Sequence, residues 1–451
     1  MLRLIVPLIG LTLLSIFAVL YAVDTNAYLR ALTAIGFIPF THPFIDWEGI
    51  AAAIKCWHNG IDVYIADPCD ELNWRYGYSP LLLRAVFIPT DKVWTMPIGI
   101  GIIIAFLLSL FWLLKPANWR ELIVFTLACT SSTIIYALER GNYDVIVFIM
   151  LVIAGVLSTG SLASRILSYA LILLAGLLKF YPLIGLSTAL RERPRTFLVI
   201  AAAAGLIVVG LFYPFRTETA AALKNIPPGE YASDLFGAVN LPFGTARYAL
   251  WLFPGLEQFA WFTGLPYAIM ILLLILTAVQ VIRLVRNGNL AAAFAKTPER
   301  DATFLVIGAA LIAGCFFAVQ SVAYKGIHLI FVVAGLVAMR RAADTCTTRA
   351  TLTQALMIVL FLMWEEFFRR ALLYGVTGSV LGRALYHEAA GPGLALYALF
   401  WLIREVLWWR LAALLLAMLA IFGLRSELFA ALQAVGGLHR EQSHLHRQKP
   451  N

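Results

Sequence analysis

The chain has 451 residues, of which 61% are hydrophobic and 13% are charged. Soluble domains carry roughly 25% charged residues, and apolar stretches of about 20 residues, long enough to span a bilayer, recur along this chain. The composition therefore excludes a soluble globular protein and predicts an all-α polytopic membrane protein. The formal net charge of +9 does not indicate nucleic-acid binding, because excess Lys and Arg in membrane proteins mostly lie in cytoplasmic loops.

Apolar runs in chain order predict a helical bundle of roughly 11 to 13 transmembrane segments. The first run has no small-residue cleavage site at its end, so we interpret it as an uncleaved span. The last run contains Arg404, Glu405 and Arg410 and is compatible with one long tilted helix or two short ones. The candidate spans lie at 4–23, 94–114, 120–137, 143–160, 164–190, 196–213, 265–285, 303–320, 322–339, 352–370 and 393–424.

The run at 164–190 is too long for one ordinary span and too short for two full ones. It contains Pro182, which lacks the backbone donor that a helix interior needs. A single crossing would place the basic cluster at 191–195 outside, against the positive-inside rule. We therefore predict a short helical hairpin that turns between Lys179 and Pro182, with its tip at the outer side.

Charge also predicts how the chain is oriented in the plasma membrane. With the N-terminus inside, the basic clusters at 115–120, 191–195, 283–300 and 340–349 fall in the cytoplasm. Two long loops, 24–80 and 214–264, then lie on the outer face. The first contains seven acidic residues against three basic ones, which a non-cytoplasmic loop tolerates. We predict one membrane domain, 1–435, followed by a basic cytoplasmic tail, 436–451.

The first outer loop contains a segment, 46–58, whose apolar residues follow helical spacing. Its tryptophans suggest a short helix lying in the membrane interface and ending at Gly60. Cys56 and Cys69 share this loop. They are able to pair if the loop is outside the cytoplasm, but sequence alone does not supply the geometry, and the pairing stays open.

Asp46 stands at the start of this helix, just after an apolar segment. One interpretation makes it an ordinary N-cap, since Asp is favoured there. The other makes it a general base, because a partly desolvated carboxylate at the membrane boundary suits that role. Glu48, two residues later, points in a different direction on a helix and does not act as its partner.

Further polar residues interrupt the apolar runs at their ends. Each has an ordinary alternative: 76–81 as a turn, 139–145 as a local set of salt bridges, and Lys179 as a lysine that snorkels to the surface. Ionisable groups at membrane boundaries are nonetheless functional candidates, and basic groups that converge there suit a phosphate. The candidates are Tyr64, Tyr78, Asn142, Asp144, Lys179, Tyr181, Arg216, Arg247, Lys325 and His328.

Three of these pieces, in order, resemble the GT-C superfamily of membrane glycosyltransferases. They are closest to the polyprenyl-phosphate-mannose-dependent mannosyltransferases of family 87. The pieces are Asp46, Gly60 and Tyr64 with the turn Tyr78-Ser79-Pro80, then Gly141-Asn142, then Lys179-Phe180-Tyr181-Pro182. They cover about the first 200 residues. Ser79 stands where the family usually has Pro, and Glu-Arg precedes Gly141, so the donor and acceptor are not fixed by the likeness.

The resemblance implies a GT-C type bundle and an inverting glycosyltransferase. Asp46 would deprotonate an acceptor hydroxyl of a glycolipid or envelope glycan. The hydroxyl would displace polyprenyl phosphate from a sugar, with mannose expected. Donor phosphate binding is assigned to Lys179, Lys325, His328, Arg216 and Arg247, and sugar or acceptor contacts to Glu48, Tyr64, Tyr78, Asn142, Asp144 and Tyr181. Some relatives need a divalent cation, but the sequence shows no clear ligand set.

Three alternatives remain at this point. The same fold could transfer glucose or arabinofuranose. A transporter or flippase for a lipid-linked substrate would need a charged path through the middle of the membrane or internal repeats, and neither is evident. A non-enzymatic assembly subunit would not need Asp46 or Lys179. Phosphate-binding loops and dinucleotide or zinc-protease motifs are absent from the sequence.

Overall fold

A computed structural model describes residues 2–36, 39–40, 42–226, 231, 235–318, 320–377 and 392–433. The described chain is largely helical. Its helices are α1 Leu2–Val23, α2 Thr25–Ile35, α3 Ile45–His58, α4 Pro80–Leu83, α5 Thr95–Leu113, α6 Trp119–Cys129, α7 Ser132–Glu139, α8 Tyr143–Leu157, α9 Leu162–Lys179, α10 Pro194–Phe212, α11 Arg216–Lys224, α12 Asn240–Leu252, α13 Ala260–Val285, α14 Gly288–Lys296, α15 Glu299–Ala318, α16 Leu329–Ala342, α17 Cys346–Met363, α18 Glu365–Thr377 and α19 Pro392–Leu424. Shorter 3-10 segments are Lys92–Trp94, Tyr181–Arg191, Leu256–Gln258 and Ala323–His328.

Nine helical segments among the described residues are long and apolar enough to cross a membrane, which confirms a multi-pass membrane protein. The bent pair α6 and α7, which meet at 47°, makes a tenth if it is one span. This is fewer than the 11 to 13 segments that the sequence predicts. The difference arises because α8 has only 15 residues and the second leg of the run at 164–190 is a 3-10 segment.

The predicted hairpin within 164–190 is present. Helix α9 ends at Lys179, Phe180 has a positive φ of 62°, and a 3-10 segment runs back from Tyr181. Glu192 then lies beside the beginning of α9, where it accepts hydrogen bonds from Arg165 Nε at 2.6 Å and from the Tyr169 hydroxyl at 2.8 Å. The side of the membrane that receives the tip remains a prediction.

Two other runs also differ in detail from their predicted spans. The run at 352–370 is not one helix, because α17 ends at Met363 and α18 begins at Glu365. The run at 393–424 is one continuous helix, α19, so the alternative of two short helices is wrong. The whole of the predicted tail, 436–451, and part of the turn before α19 lie outside the described residues.

The predicted helix at 46–58 forms as α3, but it does not lie on a surface. Ile50, Ala53 and Ile54 are at most 1% exposed, and Ala51 and Ala52 are also buried. Buried residues thus occur at five successive positions, so α3 is enclosed on most sides. The predicted helix is therefore confirmed. The prediction that it lies on a surface in the membrane interface is wrong, because protein encloses it.

A two-residue β-ladder joins the second long loop to the segment before α16. Strand β1, Leu235–Phe236, pairs antiparallel with β2, Ser321–Val322. The 3-10 segment Ala323–His328 follows β2 directly. We call the end of the bundle that carries residues 24–80, 214–264 and this ladder the loop end.

Helices α15 and α16 form the most buried pair in the bundle, and two glycines allow their close approach. A Cβ atom at Gly335 would lie 2.9 Å from Leu305 Cα, and one at Gly308 would lie 3.0 Å from the Val332 backbone nitrogen. Backbone atoms cannot move aside as the end of a flexible side chain does. Glycine at these two positions is therefore required by packing.

Gly335→Ala should lower the free energy of unfolding by roughly 1 to 3 kcal/mol, because the added methyl overpacks the α15–α16 contact. The measurement is the thermal midpoint of the detergent-purified chain, followed by size-exclusion chromatography. Gly205→Ala is the matched control, since a Cβ there meets nothing within 4 Å. Equal midpoints for the two variants would contradict the packing argument.

Candidate functional site

Asp46 is positioned by backbone hydrogen bonds between α3 and the turn after α7. The Phe44 N–H donates to Glu139 O at 2.7 Å, and the Asp46 N–H donates to Arg140 O at 3.0 Å. Phe44 precedes the helix with φ 67° and occupies the N-cap position. The expectation that Asp46 is the N-cap is therefore wrong, and its carboxylate is free to point away from its own helix.

The Asp46 carboxylate binds two donors from that same turn. Oδ1 accepts from Arg140 Nη1 at 3.1 Å, and Oδ2 accepts from Asn142 Nδ2 at 2.6 Å. The Asp46 side chain is 9% exposed and that of Arg140 8%. A nearly buried carboxylate that accepts from a guanidinium and an amide is held in one orientation.

Asn142 begins a continuous chain of polar contacts. Its Oδ1 accepts from Lys179 Nζ at 3.3 Å, and the same ammonium lies 2.9 Å from Asp144 Oδ1. Asp144 Oδ1 also accepts from the Tyr181 hydroxyl at 2.6 Å. Two helix starts and the hairpin tip thus meet at one buried point, so the interpretation of 139–145 as a purely local set of salt bridges is wrong.

The chain of contacts ends at His328, which is fully buried. Its Nε2 lies 2.6 Å from the Tyr181 hydroxyl oxygen. Since Tyr181 has one proton and donates it to Asp144, His328 Nε2 must carry the hydrogen in that contact. Nδ1 has no hydrogen-bond partner in the described part of the chain. The ring lies near those of Phe148 and Phe331, at 6.4 and 6.2 Å between centroids.

Aromatic rings and a second lysine surround this chain, which we call the Asp46 network (Asp46, Arg140, Asn142, Asp144, Lys179, Tyr181 and His328). Lys179 Nζ lies 5.1 Å from the centroid of Tyr78 and 5.8 Å from that of Tyr324. Lys325 Nζ lies 5.5 Å from the Tyr181 centroid and 3.3 Å from Ser321 Oγ. Such cation–π contacts help to hold buried ammonium groups.

Tyr78 remains a hydrogen-bond donor in these surroundings. Burial raises the pKa of its phenol well above the ordinary value, and the carboxylates of Asp46 and Asp144 act in the same direction. Tyr64 lies two rings away, because Tyr76 stands between Tyr64 and Tyr78 at 5.6 and 5.7 Å. Tyr64 therefore packs against the ring of Tyr76 and does not contact the Asp46 network.

Glu48 belongs to a different cluster on the other side of α3. Its carboxylate lies 3.0 Å from Lys92 Nζ and 3.9 Å from His42 Nε2. His42 also lies 3.0 Å from Glu71, and Lys92 and His42 hold the pKa of the Glu71 carboxyl below its usual range. Glu48 therefore does not join the Asp46 network, and its predicted contact with the sugar or acceptor stays a prediction.

This second cluster could also hold a metal ion. Among the described residues, it is the only group of His and Glu side chains whose ligand atoms are close enough together for that. Ligand atoms of His42, Glu48 and Glu71 lie within 4.8 Å of one another. The sequence did not indicate this set, because 29 residues separate His42 from Glu71. Lys92 pairs with both glutamates and already supplies a positive charge there.

Cys56 and Cys69 form a disulfide, with their Cα atoms 5.9 Å apart. This bond decides the pairing that the sequence left open. It ties the end of α3 to the following loop. Disulfides persist in oxidising compartments, which agrees with the predicted outer position of this loop.

Arg216 and Arg247 are not brought into the buried network. Arg216 is exposed at the start of α11, and its guanidinium lies 5.1 Å from the Tyr213 ring centroid. Arg247 is exposed on α12. Their predicted role at the donor phosphate depended on convergence of the outer-loop charges, and the fold places these two on the surface.

Sequence reasoning missed Arg140 and Tyr324 as members of the site. Arg140 adjoined Glu139 and Asp144 in sequence, so a local pairing was the simpler expectation. Its actual partner, Asp46, is 94 positions away. Its guanidinium also lies 4.1 Å from the Phe40 ring centroid, which helps to fix it.

A buried ionic cluster of Arg404, Glu365 and Glu405 packs against the loop end. Arg404 on α19 donates to Glu365 Oε1 at 2.9 Å, to Glu405 Oε1 at 2.7 Å and to Leu235 O at 2.6 Å. Leu235 belongs to β1, which pairs with β2, and β2 leads to Lys325 and His328. The only sequence signal was the presence of charges within an apolar run.

The structure thus places six predicted residues in one polar chain: Asp46, Asn142, Lys179, Asp144, Tyr181 and His328. Tyr78 and Lys325 lie against that chain through their ring and ammonium contacts. Glu48, Tyr64, Arg216 and Arg247 lie outside it. The amino-acid sequence and the structure of this protein match no protein-family model, no curated protein and no solved structure.

Proposed function

We propose that the protein is an inverting glycosyltransferase. It would move a sugar, with mannose first among the candidates, from a polyprenyl-phosphate donor to a hydroxyl of a glycolipid or envelope glycan at the outer face of the membrane. The observation that carries the proposal is the continuous polar chain from Asp46 to Lys179 and His328, against which Lys325 lies. It combines an oriented carboxylate with a nearby cation, which are the two groups that this reaction needs.

Asp46 acts as the general base in this proposal. Arg140 and Asn142 each use one lone pair of the carboxylate, and the remaining lone pairs can accept the proton of an acceptor hydroxyl. The hydroxyl oxygen then bonds to the anomeric carbon. The bond from that carbon to the phosphate oxygen breaks on the opposite face, and the electron pair leaves with polyprenyl phosphate.

Lys325 is the main candidate for the leaving phosphate, which refines the assignment to Lys179. The ammonium of Lys179 is already paired with Asp144, and the guanidinium of Arg140 is paired with Asp46. Lys325 forms no ion pair with a carboxylate in the described residues, and its contact is with Ser321. Its charge is therefore available to stabilise negative charge that develops on the phosphate. Lys179 then positions Asp144 and Asn142.

An apolar cavity beside the network suits the lipid chain of the donor. Its volume is about 390 Å³, and residues of α1, α2 and α5 line it. Phe44 and Glu139 also line it, and both adjoin the backbone contacts that hold Asp46. Binding cavities of this size are typical of ligands that bury apolar surface.

The transporter alternative requires charges along a path through the middle of the membrane. In the part of the chain that the structure describes, buried charged side chains lie in loops or in the first or last turn of a helix, except Arg404 and Glu405. Those two contact β1 and Asn240 at the loop end. No observation favours a transporter over a transferase.

Lys325→Met should lower the transfer rate by roughly 10- to 1,000-fold, since it removes a charge that stabilises the leaving phosphate. The assay uses the full chain in proteoliposomes with labelled polyprenyl-phosphate mannose, glucose or arabinofuranose and a membrane lipid extract as acceptor. Arg216→Met is the matched control and should keep the wild-type rate. Failure of wild type to transfer any of the three sugars, or equal rates in both variants, would contradict the proposal.

A further inference from the structure

A second cavity, lined in part by basic side chains, lies at the opposite end of the bundle from the Asp46 network. Its volume is about 590 Å³, and it is lined by Arg3, Lys115, Pro116, Ala117, Pro298, Arg300, Asp301, Ala338, Arg341 and Ala342. Helix α15 begins at this cavity and ends near the loop end. Its 20 residues span about 30 Å, so the cavity is separate from the site described above.

The cavity has an excess of positive charge. Four cationic side chains line it, but Asp301 is its only acidic lining residue. Arg300 forms an ion pair with Asp301, with 2.9 Å between Nη2 and Oδ1. Arg341 lies 3.5 Å from Glu121, a carboxylate that is 6% exposed and also accepts from the Ala117 N–H. The other two cations of the lining are Arg3 and Lys115.

Arg3 and Lys115 form no ion pair or hydrogen bond through their side chains within the described ranges. Partial burial lowers the pKa of the Lys115 ammonium, and the neighbouring charges of Arg300 and Arg3 lower it further. Four cations thus crowd together with Asp301 as the only acidic residue of the lining. An anion bound between them would relieve this repulsion.

The backbone and the surroundings of the cavity also favour an anion at a membrane boundary. Pro298 precedes the first turn of α15, whose N–H groups and dipole attract negative charge. Leu4 and Leu8 follow Arg3 on α1, and Trp112 stands three residues before Lys115 on α5. These three side chains are at least 52% exposed, so apolar surface for lipid chains continues from the cavity.

We propose that this cavity binds a phosphate-bearing anion, and that the headgroup of an anionic membrane lipid is its source. Arg3, Lys115 and Arg341 would contact the phosphate oxygens, while Arg300 remains held by Asp301. Basic pockets between helices at the cytoplasmic side are a known mode of lipid headgroup binding. The inference does not depend on the proposed sugar transfer, because none of these residues belongs to the Asp46 network.

The test is binding of dioleoyl phosphatidic acid to the delipidated full chain in neutral detergent, followed by native mass spectrometry. Wild type should bind one molecule in preference to phosphatidylcholine. The double variant Lys115→Ala/Arg341→Ala should weaken that binding by about tenfold or more, since each basic residue near a lipid phosphate contributes measurably. Arg283→Ala/Arg286→Ala, which removes two exposed charges at the C-terminal end of α13, should leave binding unchanged.

Inorganic pyrophosphate distinguishes a lipid from a free phosphate. Displacement of the lipid only at concentrations far above that of the lipid supports the lipid source, whereas displacement at equal concentration overturns it in favour of a soluble anion. Equal losses in the two double variants, or equal binding of phosphatidylcholine, would overturn the site. If the first variant fails to fold, amine labelling of Lys115 in wild type decides: phosphatidic acid must protect it, and phosphatidylcholine must not.

Discussion

Asp46→Asn should reduce the rate of sugar transfer by about 10²- to 10⁴-fold, the range that a general base contributes. The amide oxygen can still accept a hydrogen bond from Arg140 or Asn142, so the local geometry is largely kept. What is lost is the capacity to take a proton from the acceptor hydroxyl. Initial rates in proteoliposomes, at saturating donor and acceptor, measure this loss.

The matched control for this prediction is Glu48→Gln, which removes a carboxylate from the same helix. Glu48 pairs with Lys92 and lies outside the Asp46 network, so transfer should remain within a few fold of wild type. Size-exclusion profiles of both variants check folding. Similar rates of sugar transfer for Asp46→Asn and wild type would contradict the proposal that Asp46 is the general base, whatever the rate of Glu48→Gln.

Glu365→Ala should destabilise the protein by roughly 3 to 5 kcal/mol, because it removes a buried partner of a buried charge. Glu365 is 1% exposed, and it accepts from Arg404 at 2.9 Å and from Trp408 Nε1 at 3.0 Å. Glu405 alone would then face Arg404. The measurement is the thermal midpoint of the detergent-purified chain.

A loss of order at the loop end should accompany this destabilisation. Arg404 also holds Leu235 O, and the ladder of β1 and β2 positions the segment that contains Lys325 and His328. Hydrogen exchange at residues 321–328 should therefore rise in the variant. Asp344→Ala is the control, since it breaks an exposed pair with Lys296 that is worth at most about 1 kcal/mol. Equal midpoints would contradict the structural role of the cluster.

Local sequence signals predicted the elements of the fold that depend on local chemistry. Pro182 and the charge distribution placed the hairpin turn, and Gly60 marked the end of α3, where its φ is 80°. The N-cap of α3 was not predictable in the same way. Phe44 adopts a positive φ there, and its N–H and that of Asp46 bind the turn after α7, which is distant in sequence.

The candidate site was predicted better by residue type than by pairing. Ionisable residues at the ends of apolar runs are costly unless they meet, and on this ground Asp46, Asp144, Lys179 and His328 were predictable. Their partners were not, since Arg140 pairs with Asp46 across 94 positions and His328 contacts Tyr181 across 147. Arg216 lies on the surface, whereas Lys325 lies against the Asp46 network. The sequence did not distinguish these two basic residues.

The surroundings of α3 show a further limit of periodicity. The apolar spacing predicted one buried face, but Ala52 and Ala53, which lie outside that face, are buried as well. Alanine is compatible with both exposed and buried helix faces, so the pattern does not distinguish an interface helix from an enclosed one. Only tertiary packing makes that distinction.

The configuration of the product at the anomeric carbon tests the central proposal most directly. Nuclear magnetic resonance of the glycan made by the reconstituted full chain would report it. A single displacement with Asp46 as base predicts a configuration opposite to that of the polyprenyl-phosphate donor. A product with the configuration of the donor would require a second displacement and would contradict this account.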